Sequence, residues 1–283
     1  MGLKNPPRSY IIKFMTRKFD FYIVPTPIGN IQDITLRAIE ILKEVDFIAC
    51  EDTRTTQKLL NHYDIHTKCV SYHKYNEHER INYILQELQN GKKIALVSDA
   101  GTPMICDPGN VIITELLDKG FNITSLPGAS AITTFLSQIP RRGEDFSFVG
   151  FIPRNTSQIT EVIKKHTFDN LVFYDSPERI LKTLTIIKSV RPNAKIALAR
   201  ELSKLFEEII ISDINKVIEH YKDGIKGEIV CMIYAEENQS DTDIELKIKS
   251  LKEKGFKDKE IATILSTLFG FNKNDVYKKS LKI

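Results

Sequence analysis

Several chemistries drop out because of what this chain does not contain. No window approaches the roughly 18 consecutive apolar residues of a membrane-crossing helix, so the reading is of a soluble protein with no membrane partner. Cysteine is sparse: Cys50, Cys69, Cys106 and Cys231 are scattered, with no C-x-x-C spacing. That predicts reduced, mostly buried thiols in a cytoplasmic protein. There is no G-x-x-x-x-G-K-[ST], so a Walker nucleotide site is excluded, and no G-x-G-x-x-G after the first apolar run, so the dinucleotide fingerprint is missing. No G-x-S-x-G elbow occurs and no cysteine has an evident base, which disfavours nucleophilic catalysis. His62 and His66 straddle a break before Ile65, and His73 and His78 lack a partner at ligand spacing, so no metal site is expected. Internal repeats and low-complexity tracts are absent too.

What remains is an ordinary globular composition. The 283 residues are 42% hydrophobic with a mean hydropathy of −0.21, enough for one large domain or two smaller ones with a sizeable core. Charge is unevenly placed. Residues 1–18 hold five basic residues and no acid, and residues 242–283 hold ten lysines against six acids. The overall +3 therefore leaves the stretch between them at −6. Basic ends suit a polyanionic partner, although a solvated surface is the plainer reading of each segment alone. The start lacks the apolar core and cleavage site of a secretory signal, while its acid-free composition leaves an organelle transit peptide open. Residues 1–18 are read as a disordered basic extension, with Met15 a second candidate start.

Taken in order, the chain alternates. Phe21–Val24, Phe47–Cys50, Cys69–Tyr72, Ile94–Val97 and Asn122–Leu126 read as buried strands by length and β-branching. Between them lie an apolar face at helical spacing from Ile34 to Val45 with Asp33 as N-cap, and a helix over Thr55–His62. A third helix is opened by an Asn76/Glu79 capping box and closed by Gly91, and a fourth spans Val111–Lys119. This pattern predicts a largely parallel α/β domain over residues 19–138. After Gln138–Gly143 the pattern changes. Strands at Phe146–Phe151, Leu171–Tyr174, Ile196–Ala199, Glu208–Ile211 and Glu228–Tyr234 alternate with helices near 157–165, 178–190 and 213–221, predicting a mixed-sheet second domain over 139–237. A polar linker at 236–243 leads to a helical tail over 242–283, with helices near 244–254, 258–269 and 274–281.

Three loops of small, turn-forming residues follow strands of the first half: Pro25-Thr26-Pro27-Ile28-Gly29-Asn30, Ser98-Asp99-Ala100-Gly101-Thr102-Pro103 with Asp107-Pro108-Gly109, and Pro127-Gly128-Ala129-Ser130. Such loops bring bare backbone N–H groups up to a ligand, and the three are expected to converge on one small molecule. Two prolines make the first too rigid to wrap a phosphate, so it reads as a wall beside a planar ligand. Asp99 offers a carboxylate to an ammonium or a ribose hydroxyl. The sets Glu51-Asp52-Thr53-Arg54 and Arg200-Glu201-Leu202-Ser203-Lys204 each sit just past a strand, where α/β sheets bind their ligands, which suggests a polar cleft between the halves.

These loops and sets resemble the ribosomal RNA small subunit methyltransferase I family, of the tetrapyrrole methylase-like superfamily. The resemblance extends through Leu126–Ala131, Gly150-Phe151-Ile152-Pro153-Arg154, Ala199–Leu202 with Phe206-Glu207-Glu208, and Lys226-Gly227-Glu228, in family order from about residue 21 to 235. Asp175 and Glu178 depart from it, standing where Glu and His are more usual. The resemblance implies a two-domain α/β homodimer with a helix-turn-helix-like tail. It implies S-adenosylmethionine as methyl donor, and 2′-O-methylation of a cytidine ribose in the decoding region of 16S ribosomal RNA, within the 30S subunit. By motif, Pro27, Asp99, Ala100, Gly101, Thr102, Pro103, Met104, Ile105, Ala129, Ser130, Tyr174 and Gly227 line the cofactor pocket.

The reaction implied is an in-line displacement at an activated methyl, so positioning supplies much of the acceleration. The hydroxyl must lose a proton, and Glu201 is the base expected here, with Arg54, Arg200 and Lys204 holding the RNA backbone. Structural ion pairing among these residues is the competing reading. The tail and the basic extension would add sequence-independent phosphate contacts. The rival readings are a tetrapyrrole methyltransferase of the same fold and a non-enzymatic RNA-binding adaptor.

Overall fold

The computed structural model describes residues 19–141, 143–236, 241–269 and 271–283, so the basic extension 1–18 lies outside the described residues. Two compact units result: one comprises the chain up to His166 together with Asn170–Tyr234, the other Thr167–Asp169 and Ala235–Ile283. Both sheets belong to the first unit.

The first sheet is fully parallel, with β1 (Phe21–Ile23), β2 (Phe47–Cys50), β3 (Lys68–Ser71), β4 (Ile94–Val97) and β5 (Ile123–Ser125) in the order β3-β2-β4-β1-β5. Its three central strands β1, β2 and β4 read as unbroken apolar runs because both faces are covered, whereas the edge strands β3 and β5 carry exposed polar ends at Lys68 and Ser125. Phe21, Phe47, Ala49, Ile94 and Leu96 face one side, beneath α3 (Glu77–Gln89) and α4 (Asn110–Asp118). Their alternates Tyr22, Ile48, Cys50, Ala95 and Val97 face α1 (Leu36–Glu44) and α2 (Thr53–His62). From β1 the chain crosses towards β2, and from β4 it crosses the opposite way to β5. The neighbouring C-terminal ends of β1 and β4 are therefore a topological switch point, where a crevice opens.

Two helix starts differ from expectation. Thr35, not Asp33, caps α1, its hydroxyl accepting from the Ala38 N–H at 3.0 Å. Asp33 instead accepts a hydrogen bond from the Ser203 hydroxyl in the second half. Asn76 does not form a capping box, because its side chain is spent on the preceding turn, accepting from His73 N and donating to Ser71 O. Asp52 caps α2, which extends that helix two residues N-terminal of the expected start.

The link between the halves is α5 (Ala131–Ser137), a two-turn helix too short to show a period in the sequence. Its Ile132, Phe135 and Leu136 pack on one face of the second sheet, against Val172, Ala197, Val230 and Met232. That sheet comprises β6 (Phe146–Phe151), β7 (Asn170–Asp175), β8 (Lys195–Arg200), β9 (Glu208–Asp213) and β10 (Ile229–Ile233), in the order β6-β7-β10-β8-β9. Only β6 and β7 run parallel; the other pairings are antiparallel, as the mixed-sheet expectation required. Its other face carries α6 (Thr156–Lys165), α7 (Ile180–Val190) and α8 (Ile214–His220) over Leu171, Phe173, Leu198 and Cys231.

The second unit contains α9 (Asp241–Glu253), α10 (Asp258–Phe269) and α11 (Lys273–Ser280) around a small core of Ile248, Ile261, Ala262, Leu265 and Val276. Lys252 ties α9 to the start of α10 through Asp258 at 3.0 Å and to the end of α11 through the Ser280 carbonyl at 2.6 Å. No helix among the described residues is long and apolar enough to cross a membrane.

Candidate functional site

The three small-residue loops do meet. Thr26 and Gly101 exchange two backbone hydrogen bonds of 2.9 Å, and the Thr26 hydroxyl donates to the Ser98 carbonyl. The Thr102 hydroxyl donates to the Ala129 carbonyl at 3.0 Å, which ties the second loop to the third. Gly128 lies against Pro25 so closely that a Cβ there would sit 2.6 Å from the proline ring, which closes the triangle. The loop after β4 bends through left-handed backbone at Gly101, Met104 and Cys106, with φ of 79°, 71° and 77°. Non-glycine residues held there signal a conformation imposed by the surrounding structure.

Beside this junction is a cavity of about 530 Å³, within the range of small-molecule sites. The first half supplies Ile28, the loop Asp99–Thr102, Ile105 to Asp107, and the start of α5 at Ser130. Opposite stand Phe151 and Tyr174, their rings 5.5 Å apart, then Asp175–Pro177, Glu201-Leu202 and Gly227–Val230. Burial pushes the Tyr174 phenol up, and the Ile132 backbone N–H holds its oxygen.

Five carboxylates lie on this wall, Asp99, Asp107, Asp175, Glu201 and Glu228, and they divide sharply. Asp175 is buried, bonded to Thr183 at 2.6 Å, to the Ser176 N–H and to Arg179 at 3.0 Å. Glu201 and Glu228 share the Lys204 ammonium at 2.9 and 3.0 Å, and Glu201 Oε1 also accepts from the Glu228 N–H. The Lys204 ammonium and that N–H hold the Glu201 carboxyl below its usual range. Among the described residues, Asp99 and Asp107 have no cation at ion-pair distance. Asp99 accepts from the Asp52 N–H at 3.1 Å, and burial pushes its carboxyl up. Asp107 is pushed up to about 6, by burial first and then by Glu51, with Ser98 pulling the other way. Glu51 is raised as well, by burial and by Asp99.

Such a wall repels a triphosphate and attracts a cation. S-adenosylmethionine carries an ammonium and a sulfonium, and the cavity fits it by size, by apolar lining and by two carboxylates without a counter-ion. Close backbone approach is built in at Gly227, with φ of 94°, where a Cβ would lie 2.3 Å from the Glu201 side chain.

Of the residues expected from the sequence, the structure gathers Asp99, Ala100, Gly101, Thr102, Ile105, Ser130, Tyr174, Gly227 and Glu201 on the cavity wall. The others stand back from it. Pro103 is buried, Met104 packs into the core under β4, and Ala129 packs beside α5. Pro27 lies between the bridged Thr26 and the lining Ile28. Arg54 is 87% exposed and folded onto Asp52, which it holds down at about 2. Arg200 is taken up by Glu208 at 2.6 Å, which also meets His220. Sequence reasoning passed over Asp107 and Phe151 as ligand-facing residues, although both stand inside motifs it had singled out. Leu202 likewise stands inside a set it had singled out, whereas for Ile229 it had no signal, since the pairing of β10 with β8 places that residue.

Comparison with known proteins gives the family and the fold. The tetrapyrrole (corrin/porphyrin) methylase family matches residues 20–218. The ribosomal RNA small subunit methyltransferase I of Halalkalibacterium halodurans is 38% identical over 272 residues, 92% of this chain and 94% of that protein. The protein of the same name from Hydrogenobaculum sp. is 45% identical over 220 residues, 76% of this chain and 95% of that protein. The chain belongs to the ribosomal RNA small subunit methyltransferase I family. As a tetrapyrrole methylase-fold member of that family it uses S-adenosylmethionine. Among solved structures, diphthine synthase shares the fold with a TM-score of 0.61 at 14% identity, covering 76% of this chain and 89% of that one. A uroporphyrin III C-methyltransferase from Thermus thermophilus does so at 0.54 and 16%, covering 75% and 96%.

Proposed function

We propose that this protein methylates the ribose 2′-hydroxyl of a cytidine in the decoding region of 16S ribosomal RNA, acting in the cytoplasm on the 30S subunit. The observation that carries the reading is a cation-seeking cavity in a chain that matches a named ribosomal RNA methyltransferase along 92% of its length. A homodimer is part of the proposal. Leu205 and Phe206, 90% and 66% exposed, supply apolar surface for a second copy, as do Phe146 and Phe151 on the edge strand β6.

S-adenosylmethionine supplies a methyl group already activated on a positively charged sulfur. Asp99, Ala100, Gly101, Thr102, Ile105, Ser130, Tyr174 and Gly227 form its pocket in this proposal, with Pro27, Pro103, Met104 and Ala129 holding the loops behind them. Ile28, Leu202, Ile229 and Val230 exclude water, and Asp99 faces the cationic end. Proton removal from the attacking hydroxyl needs a base close to neutrality. Glu201 is poorly suited, because Lys204 and the Glu228 N–H hold it ionised and already bonded. It positions Gly227 and Glu228 instead. Asp107, which lines the cavity with no cation at ion-pair distance among the described residues and is pushed up to about 6 by burial, is the proton acceptor in this proposal. Arg54 at the start of α2, 87% exposed, can exchange its surface pair with Asp52 for a phosphate, whereas Arg200 and Lys204 hold less exposed pairs within the fold.

Methyl transfer from labelled S-adenosylmethionine to 30S subunits and to free 16S RNA, followed by mapping of the modified nucleotide, tests the reading. Label on the 2′-oxygen of one decoding-region cytidine is the expected result. Label on a base, on large-subunit RNA or on a tetrapyrrole overturns it.

A further inference from the structure

The second unit carries a surface that the methyl-transfer site does not use. The Phe269 and Phe271 rings, at the junction of α10 and α11, stack with centroids 6.1 Å apart and planes 28° apart. The Lys247 ammonium of α9 lies 5.0 Å from the first ring centre and 6.0 Å from the second. Phe269 remains 51% exposed and its neighbour Leu268 70% exposed, although the unit's core of Ile248, Ile261 and Leu265 is close by. Lys273, Lys278 and Lys282 stand exposed on and just after α11, where Asp275 is the one acid within Lys273–Ser280. Half-open aromatic rings beside ammonium groups, in a segment with a net +4 on a chain whose middle carries −6, are complementary to a polyanion with flat faces.

We propose that this junction is a second RNA-binding surface, with the Phe269–Phe271 pair taking an unpaired base and Lys273, Lys278 and Lys282 taking adjacent phosphates. The inference rests on the proposal that the substrate is RNA. The surface serves affinity rather than chemistry. The tetrapyrrole methylase match ends at residue 218, and the Hydrogenobaculum relative is covered to 95% while leaving about a quarter of this chain unmatched.

The test uses the full-length protein with free 16S RNA and with 30S subunits, comparing wild type, Phe269→Ala, and the triple variant Lys273→Glu, Lys278→Glu, Lys282→Glu. All four residues are exposed, so the fold is retained, and an unchanged helical signal by circular dichroism together with unchanged S-adenosylmethionine affinity checks this for both units. Phe269→Ala is expected to raise KM for RNA about tenfold, with kcat at saturating RNA within about twofold. The triple variant should flatten the slope of log affinity against log salt by about 2, the value for three phosphate contacts to single-stranded RNA. KM and salt slope unchanged in both variants would overturn the inference while leaving the activity standing. Weakened binding to 30S subunits with unchanged binding to free RNA also overturns it, since the surface then meets ribosomal protein. A wild type that methylates no ribosomal RNA defeats the underlying reading, and binding of the variants to RNA still decides the surface separately.

Discussion

The two walls of the cavity use the same side chain for opposite purposes. On the second-half wall, Asp175 is paired with Arg179 while Glu201 and Glu228 share Lys204, so each carboxylate has a cation partner and its geometry is held. On the first-half wall, Asp99 and Asp107 with nearby Glu51 face one another across strand ends, each raised by burial and by its neighbours. A buried carboxylate with a cation shapes the backbone; one without a cation is available to a ligand. Being polar and lining the cleft does not separate the two groups. Their partners do.

The sharpest way to break this contrast is Gly227→Ala. The residue sits at φ 94° with no room for a Cβ beside Glu201, so the Glu201–Lys204–Glu228 clamp must open. Loss of S-adenosylmethionine affinity by about 100-fold or more, by calorimetry, is the expected result. An affinity within about threefold of wild type would show that the paired wall does not shape the pocket.

Next is Asp107→Asn. Single-turnover methylation should fall about 100-fold, and the acidic limb of kcat/KM near pH 6 should vanish with it. The sign follows from the raised carboxyl: as pH falls through about 6, Asp107 takes up a proton, losing both its basicity and its attraction for the bound cation. In the wild type the acidic limb of kcat should lie below that of kcat/KM, because a bound cation keeps the proton off. The same shift makes ionised Asp107 a liability to the fold above pH 6. The asparagine variant should accordingly be more stable at pH 7, by about 1 kcal/mol once solvent screening is allowed for. A limb that persists in the variant places the base elsewhere.

Asp99→Asn removes one open charge without touching the clamp. A rise in Kd for S-adenosylmethionine of about tenfold is expected, with little change in thermal stability. Glu201→Gln is the mildest, because an amide oxygen still accepts from Lys204 and from the Glu228 N–H. Single-turnover methylation should stay within about fivefold of wild type with its pH profile intact. A loss comparable to that of Asp107→Asn would restore Glu201 as the base.

Much of the architecture was legible along the chain. Phe47–Cys50 and Ile94–Val97 are apolar at every position because a parallel strand is covered on both faces, and that requirement is local. The three loops announced themselves by proline, glycine and small residues after such runs. The helix caps were less legible. Asp33 and Asn76 are both good caps by residue type, yet each was drawn off, one by Ser203 and the other by His73 and Ser71. A cap residue chooses among competing donors, and only the folded chain shows which donors are near.

The same division runs through the site. Residue type and order placed carboxylates past the ends of strands and made the loops tight enough to approach a ligand, because backbone sterics and burial act within a few residues. Which carboxylates stay unpaired was settled by pairing over long separations. Glu201 meets Glu228 because β8 and β10 lie antiparallel in register, and Asp107 meets Glu51 because the loops of neighbouring strands β2 and β4 emerge on one edge. Electrostatic interaction depends on distance through space, and distance along the chain carries almost no information about it.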